Sequence, residues 1–422
     1  MMIKKVLKRG RVVLGVVTVT VGTVAALALY VEVDGIPRYA PPPADTRAVV
    51  ATPENVAHGK KLVSLLCTSC HENGDTHRLS GKYLPEIPAE FGVAYSKNIT
   101  RHPTKGIGSW TDGEIRTFLR TGLLADGQYV PPYMVKLPHT SDDEMDAIIA
   151  FLRSDDPLVA ASDVDPPGVT KPSFLAKALA HVAFKPLPSP SKPVVAPPKA
   201  DAVAYGRYLV ASLDCFGCHS ESFTKMNVLE PEKSAGYMGG GNPLRGEGGK
   251  EIFTANLTAD PETGIGSWSE ADFVRAVRKG FRPDGRVLSY PMEPRPELDD
   301  EEAAAIYAYL RTIPKIKNPV RRPAVSVAIA DASPGKELYQ RYGCNTCHGD
   351  SGKGAVGDLR RANETYPADT DLRRWIDEAP SIKPNTRMPG WKGVIKDDDY
   401  APLIAYVRVL SAAKGDRSAA NP

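Results

Sequence analysis

Net charge, spare cysteine and strand-like alternation are what this sequence has least of. Its 422 residues carry 53 Lys and Arg against 50 Asp and Glu, a formal net charge of +3. So small an imbalance gives no argument for nucleic acid or an acidic polymer as a partner, and any docking charge must be local. Almost no run alternates apolar and polar residues with a period of two, which argues against a sheet-based architecture. No Ser-His-Asp set or paired-carboxylate motif stands out. The glycines from Gly239 to Gly249 lack the Gly-Lys-Ser/Thr that a phosphate cradle would need, and read instead as a flexible cover. No catalytic residue is therefore assigned. Apolar residues make up 42% of the chain and charged residues 24%, a globular rather than a disordered composition.

What is present is cysteine in one repeated pattern. The six cysteines form three pairs of identical spacing, each followed by a histidine: Cys67, Cys70 and His71; Cys215, Cys218 and His219; Cys344, Cys347 and His348. C-x-x-C-H reads as c-type haem attachment. On a helical turn, residues at i, i+3 and i+4 project to one side. Two thiols can then bond the two vinyl groups of one porphyrin, and the adjacent imidazole is delivered to its iron. A structural zinc site would need four ligands close together, and these pairs are far apart. A redox-active C-x-x-C would need neither the histidine nor the threefold repetition. Three covalently bound haem c groups are expected.

Methionine as sixth ligand raises the potential of haem iron and suits electron transfer. Three methionines are placed for it. Met388 lies in Asn385-Thr-Arg-Met-Pro-Gly390, Met292 follows Tyr290-Pro291, and Met134 follows Pro131-Pro132-Tyr133. His139 lies close to Met134 and competes with it for the first haem. Met145, Met226 and Met238 read as packing or surface residues.

The chain divides at Pro-rich breaks into residues 45–160, 200–318 and 331–413, with a Pro-rich linker at 161–199, and each of the three segments holds one C-x-x-C-H. The first two are copies. Asn98-Ile-Thr matches Asn256-Leu-Thr, Gly106-Ile-Gly-Ser-Trp110 matches Gly264-Ile-Gly-Ser-Trp268, and Met134 matches Met292 at one constant offset. Each segment opens and closes on a helical pattern, and the acidic starts at Asp142, Asp299 and Asp397 suit helix N-termini. Ahead of them, residues 1–35 carry Lys4, Lys5, Lys8, Arg9 and Arg11 and then an apolar run from Val12 to Val31. That run is about 20 residues, enough for a membrane-spanning helix, with a cleaved signal peptide as the competing reading. The positive-inside rule places everything after it outside the cytoplasm. The expected fold is mainly α: three tandem class I cytochrome c domains after an N-terminal transmembrane helix.

Asn-Ile-Thr, Gly-Ile-Gly-Ser-Trp, Asp126-Gly127, a Pro-flanked methionine and Ala308-Tyr-Leu-Arg311 together resemble the three-haem cytochrome c subunits of membrane-bound alcohol, gluconate and fructose dehydrogenases. The similarity covers the first two segments, and the third resembles single-haem class I cytochromes. The resemblance implies an electron donor in a dehydrogenase catalytic subunit or a respiratory complex. It implies quinone, a soluble cytochrome or a terminal oxidase as acceptor. The setting is the bacterial inner membrane, with the haem domains in the periplasm. Two other functions remain open at this point: a peroxidase-like enzyme with one open haem, and a fixed cytochrome module of a respiratory complex.

Overall fold

The computed structural model describes residues 2–43, 45–320, 333–354, 356–383 and 386–412, with backbone alone for 2–17 and 248. The protein is mainly helical. It begins with α1 (Met2–Asp34). Among the described residues no helix is long and apolar enough to cross a membrane. The expected transmembrane helix is therefore not found there. The described side chains of α1 start only at Thr18 and soon reach Glu32 and Asp34, while the side chains from Val12 to Val17 lie outside the described residues.

The first segment contains α2 (Pro53–Leu66), α3 (Thr68–His71), the two-residue strand β1 (Gly92–Val93), α4 (Asp112–Thr121) and α5 (Asp142–Arg153). Thr52 caps α2 by accepting from the Asn55 N–H, with Pro53 pre-set for the first turn. Within 161–199 the chain is not uniformly extended. β2 (Lys171–Pro172) pairs antiparallel with β1, and α6 (Phe174–Val182), capped by Ser173, packs against α1.

The second segment repeats the plan with α7 (Ala202–Ser212), α8 (Cys215–His219), α9 (Glu270–Lys279) and α10 (Asp300–Leu310). The repetition extends to the caps. Thr111 and Glu114 form a capping box on α4, and Ser269 and Asp272 form one at the matching place on α9. Between α8 and α9, the Gly-rich stretch expected to be a flexible cover folds instead into an antiparallel hairpin of β3 (Pro243–Arg245) and β4 (Glu251–Phe253). The third segment has α11 (Pro334–Arg341), α12 (Asn345–His348), α13 (Ala362–Thr365), α14 (Asp369–Ile382) and α15 (Asp397–Ala412).

In each segment the helix before the C-x-x-C-H crosses the last helix: α2 on α5, α7 on α10, α11 on α15. The crossing works because the first helix of each pair carries a glycine where the backbones meet. A Cβ on Gly59, Gly206 or Gly335 would run into the carbonyl of Ala147, Ala305 or Pro402. Around these crossings lie three clusters of buried side chains. Val63, Ile148 and Phe151 belong to the first, Val210, Phe216 and Leu310 to the second, and Tyr339, Leu403 and Val407 to the third.

The segments also lock to one another. Lys61 on α2 reaches Glu302 on α10 at 2.6 Å, and Glu144 on α5 accepts the Tyr208 hydroxyl from α7. Glu144 and Glu302 are matching positions in the two copies, so the contact is reciprocal. The β3–β4 hairpin faces the third segment, where Lys250 lies 3.5 Å from Asp350.

Candidate cofactor sites

Each C-x-x-C-H lies on a short helix that follows directly from the crossing helix. In the first segment α2 ends at Leu66, Cys67 caps both helices, and α3 carries Cys70 and His71. The rigid crossing thus sets where the motif's side chains point. All six cysteines are free thiols. Burial pushes their pKa values up, to about 12 for Cys67, Cys215, Cys218 and Cys344 and about 11 for Cys70 and Cys347. A redox thiol or a zinc thiolate needs the opposite shift. Among the described residues no group of three or more His, Cys, Asp or Glu could hold a metal ion.

The three histidines share one hydrogen-bond arrangement. His71 Nδ1 lies 2.7 Å from the Lys97 carbonyl oxygen, His219 Nδ1 lies 2.8 Å from that of Ala255, and His348 Nδ1 lies 3.3 Å from that of Gly357. A carbonyl only accepts, so each Nδ1 carries the proton and Nε2 keeps its lone pair for a metal. Burial lowers His71 to about 4 and also lowers His219 and His348, which holds all three imidazoles neutral as ligation requires.

The repeated Asn-Ile/Leu-Thr now acquires a purpose. Asn98 Oδ1 accepts from the N–H and hydroxyl of Thr100, while its amide donates to the Ser162 carbonyl. Asn256 does the same with Thr258 and Ile316. Lys97 and Ala255 immediately precede these asparagines. The motif therefore fixes the carbonyl that fixes the histidine tautomer. Trp110 and Trp268 both line the adjoining cavity.

That cavity has a volume of about 2560 Å³ and is bordered by Cys67, Cys70, His71, Cys215, Cys218 and His219. A single small-molecule site takes roughly 300–1,000 Å³, so the space suits more than one large group. Met134 and Met292 line it, and His139 does not. His139 Nε2 instead lies 2.7 Å from the Val228 carbonyl oxygen. Lys136, missed by the sequence reading, holds the Met134 turn by donating to the carbonyls of Met134 at 2.6 Å and Pro131 at 2.9 Å. The third motif meets the cavity only through neighbours such as Asn345, Thr346 and Gly349. Met388 and Cys344 are both partly buried and pack against the third core cluster. Met145 and Met238 are fully buried packing residues.

These residues fit haem c. Paired thiols and a free imidazole nitrogen stand together at each motif. Arg295, half-buried on the cavity wall near Cys215, has a buried Nη1 with no hydrogen-bond partner among the described residues. The anionic carboxylates of a porphyrin would satisfy that donor.

The motifs also converge. Cys218 lies within electrostatic reach of Cys70, and both Cys70 and Cys347 sense Glu293. Tyr290, two residues before Met292, donates its hydroxyl to Glu86 in the first segment at 2.7 Å, and its backbone lies close enough to the Cys347 thiol of the third to act on it electrostatically.

Comparison with known proteins agrees with this geometry. Residues 56–155 match the family described as cytochrome c, and residues 330–407 match cytochrome c oxidase, cbb3-type, subunit III. The chain is 28% identical over 369 residues to the cytochrome c subunit of the quinone-type alcohol dehydrogenase of Gluconacetobacter polyoxogenes, covering 82% of this chain and 75% of that one. It is 29% identical over 320 residues to the fructose dehydrogenase cytochrome subunit of Gluconobacter japonicus, covering 68% and 62%. It is 28% identical over 261 residues to the gluconate 2-dehydrogenase cytochrome c subunit of Pantoea cypripedii, covering 58% and 56%. With three C-x-x-C-H turns, three histidines whose Nδ1 faces a carbonyl and these relatives, the chain is similar to the cytochrome c subunits of alcohol, fructose and gluconate dehydrogenases, and its residues 56–155 match the cytochrome c family.

Proposed function

We propose that this chain is a three-haem electron carrier that takes electrons from a dehydrogenase catalytic subunit and delivers them to a respiratory acceptor. Three tandem cytochrome c domains are read from the three motifs and the three helix crossings. The observation that carries the proposal is the convergence of the motifs: Tyr290, two residues before Met292 of the second segment, bonds Glu86 of the first, and Arg387, just before Met388 of the third, bonds Thr68 of the first and Pro294 of the second.

The cysteine pairs would hold the haems as thioethers, His71, His219 and His348 would be the proximal ligands, and Met134, Met292 and Met388 the sixth ligands. When bound, haem c supplies a one-electron iron couple whose potential the axial ligands and surroundings set. The chain's own residues do the rest. The carbonyls of Lys97, Ala255 and Gly357 orient the imidazoles. The crossing helices place the motifs, and the apolar cores keep water from them.

Attachment to the inner membrane by α1, with the haem domains in the periplasm, forms part of the proposal. Supporting it are the basic residues from Lys4 to Arg11 and the exposed apolar side chains Val19, Val21, Val24, Leu27 and Leu29 on that helix. Quinone is one candidate acceptor, and the resemblance to quinone-type dehydrogenase subunits favours it.

Anaerobic redox potentiometry of the full chain with optical spectra tests the function. Three low-spin haems with a methionine–iron charge-transfer band are expected. A haem that stays high-spin, binds carbon monoxide readily and turns over peroxide would replace this reading with a haem enzyme.

A further inference from the structure

Arg387 stands immediately before Met388, in the loop between α14 and α15, but its guanidinium lies in the first two segments. Nη2 donates to the Ser64 carbonyl and to the Thr68 hydroxyl, the latter at 3.0 Å. Nη1 donates to the Pro294 carbonyl at 3.0 Å and to Glu297 Oε2 at 3.1 Å, and Nε lies 3.6 Å from Glu293 Oε2. Thr68 follows Cys67 of the first motif. Glu293 and Pro294 follow Met292 of the second segment. One side chain thus joins the neighbour of one cysteine, Cys67, and the neighbours of one methionine, Met292, while its own backbone leads directly into another, Met388.

The charge arrangement is closed off from water. The Arg387 side chain is 12% exposed, and those of Glu293 and Glu297 are each 7% exposed. Glu293 Oε2 and Glu297 Oε1 have no hydrogen-bond partner among the described residues, so their compensation is Coulombic, from Arg387 and the adjacent Arg295. Charges held this way in a low-dielectric interior act strongly on their neighbours.

The duplicated segments explain why the third one is needed here. In the first segment, Lys136 ties the methionine turn from within. At the constant offset of the repeat the second segment has Pro294, which has neither a cation nor an N–H to offer. Arg387, from the third segment, anchors this loop instead at a different point, the Pro294 carbonyl two residues beyond Met292.

We propose that Arg387 is the positioning residue for the Met292 loop, and that its charge raises the potential of the second haem while its fork fixes the third segment against the other two. The proposal rests on the reading of Met292 as an iron ligand. A cation next to the site disfavours the more positive ferric state, so removing it lowers the potential.

Full-length Arg387→Gln, Arg387→Lys and Glu293→Gln are compared with wild type by haem quantification, optical spectra and potentiometry. Arg387→Gln should keep three covalent haems and shift the second couple at least tenfold toward the oxidised form, about 59 mV for one electron. Arg387→Lys should restore most of that shift. Glu293→Gln should move the same couple in the opposite direction, and it leaves Arg387 in place should Arg387→Gln not fold. Unchanged potentials in Arg387→Gln, or in Glu293→Gln where Arg387→Gln cannot be purified, would overturn the proposal. So would equal shifts in the Gln and Lys variants, which would make the role only structural. If wild type itself shows no methionine–iron band from the second haem, the reading of Met292 fails, and this proposal with it.

Discussion

Tyr290 donates its hydroxyl to Glu86 across 204 positions of sequence, at 2.7 Å, and so ties the methionine loop of the second segment to the loop that follows the first haem motif. Burial, and then the charge of Glu86, push the tyrosine pKa well above its usual value, so it stays a donor at any ordinary pH. Tyr290→Phe keeps the ring and deletes the bond, leaving a partly buried carboxylate oxygen short of a partner. That loss should cost about 1–3 kcal/mol. Denaturant unfolding followed by far-ultraviolet circular dichroism should show the lower midpoint, with covalent haem content unchanged.

The helix crossings give a second test. A methyl at Gly206 would strike the Ala305 carbonyl and the Tyr309 side chain, so α7 must move off α10. Gly206→Ala should destabilise the second segment by about 1–3 kcal/mol, the usual cost of overpacking. Gly74, whose added Cβ would meet nothing within 4 Å, is the matched control and should stay near wild type. Equal melting temperatures for the two variants would contradict the close crossing.

Some of this architecture could be read directly from the chain, because local chemistry writes it. The acidic clusters at Asp142, Asp299 and Asp397 mark helix starts through capping, and α5, α10 and α15 begin within one residue of them. Asn98 and Asn256 stand out in the sequence through their repetition at one constant offset. What escaped was set by contacts distant in sequence. Helix α6 sits in a Pro-rich stretch and gains its stability from packing on α1. The β3–β4 hairpin forms from glycines that read as flexible, because it braces the third segment. Lys136 and Arg387 carry no motif at all. Their roles come from which carbonyls the fold brings to them.

Acid should loosen the first segment through Asp45. Burial alone pushes its carboxyl up, but hydrogen bonds from Arg47 and the charge of Arg116 overcome this and bring it from 3.8 down to about 2. A folded value below the unfolded one adds stability above the unfolded value, and that stability is lost as pH falls toward the folded value. The effect therefore belongs to the window between pH 3.8 and about 2. Asp45 binds the buried Arg116 at 2.8 Å but is itself partly solvated, so screening limits the contribution to about 1 kcal/mol. Asp45→Asn should flatten the fall in stability across that window, and denaturation midpoints measured through it should diverge between variant and wild type only at the upper end. Parallel curves would rule the effect out.

The first haem distinguishes Met134 from His139. Met134 lines the cavity beside Cys67 and His71, and its turn is pinned by Lys136. His139 is turned away, with Nε2 on the Val228 carbonyl of the second segment. To reach the cavity it would have to abandon that bond, one of several between the two copies. On the proposed assignment of Met134 as sixth ligand, Met134→Ala should remove that ligand. The first haem should become high-spin, bind carbon monoxide and fall in potential, because a thioether favours the reduced iron. His139→Ala should leave the haem spectra unchanged and lower stability by about 1 kcal/mol, the worth of one hydrogen bond between segments. Optical and magnetic spectra of the two variants read the difference directly. A low-spin first haem in Met134→Ala together with a high-spin one in His139→Ala would reverse the assignment.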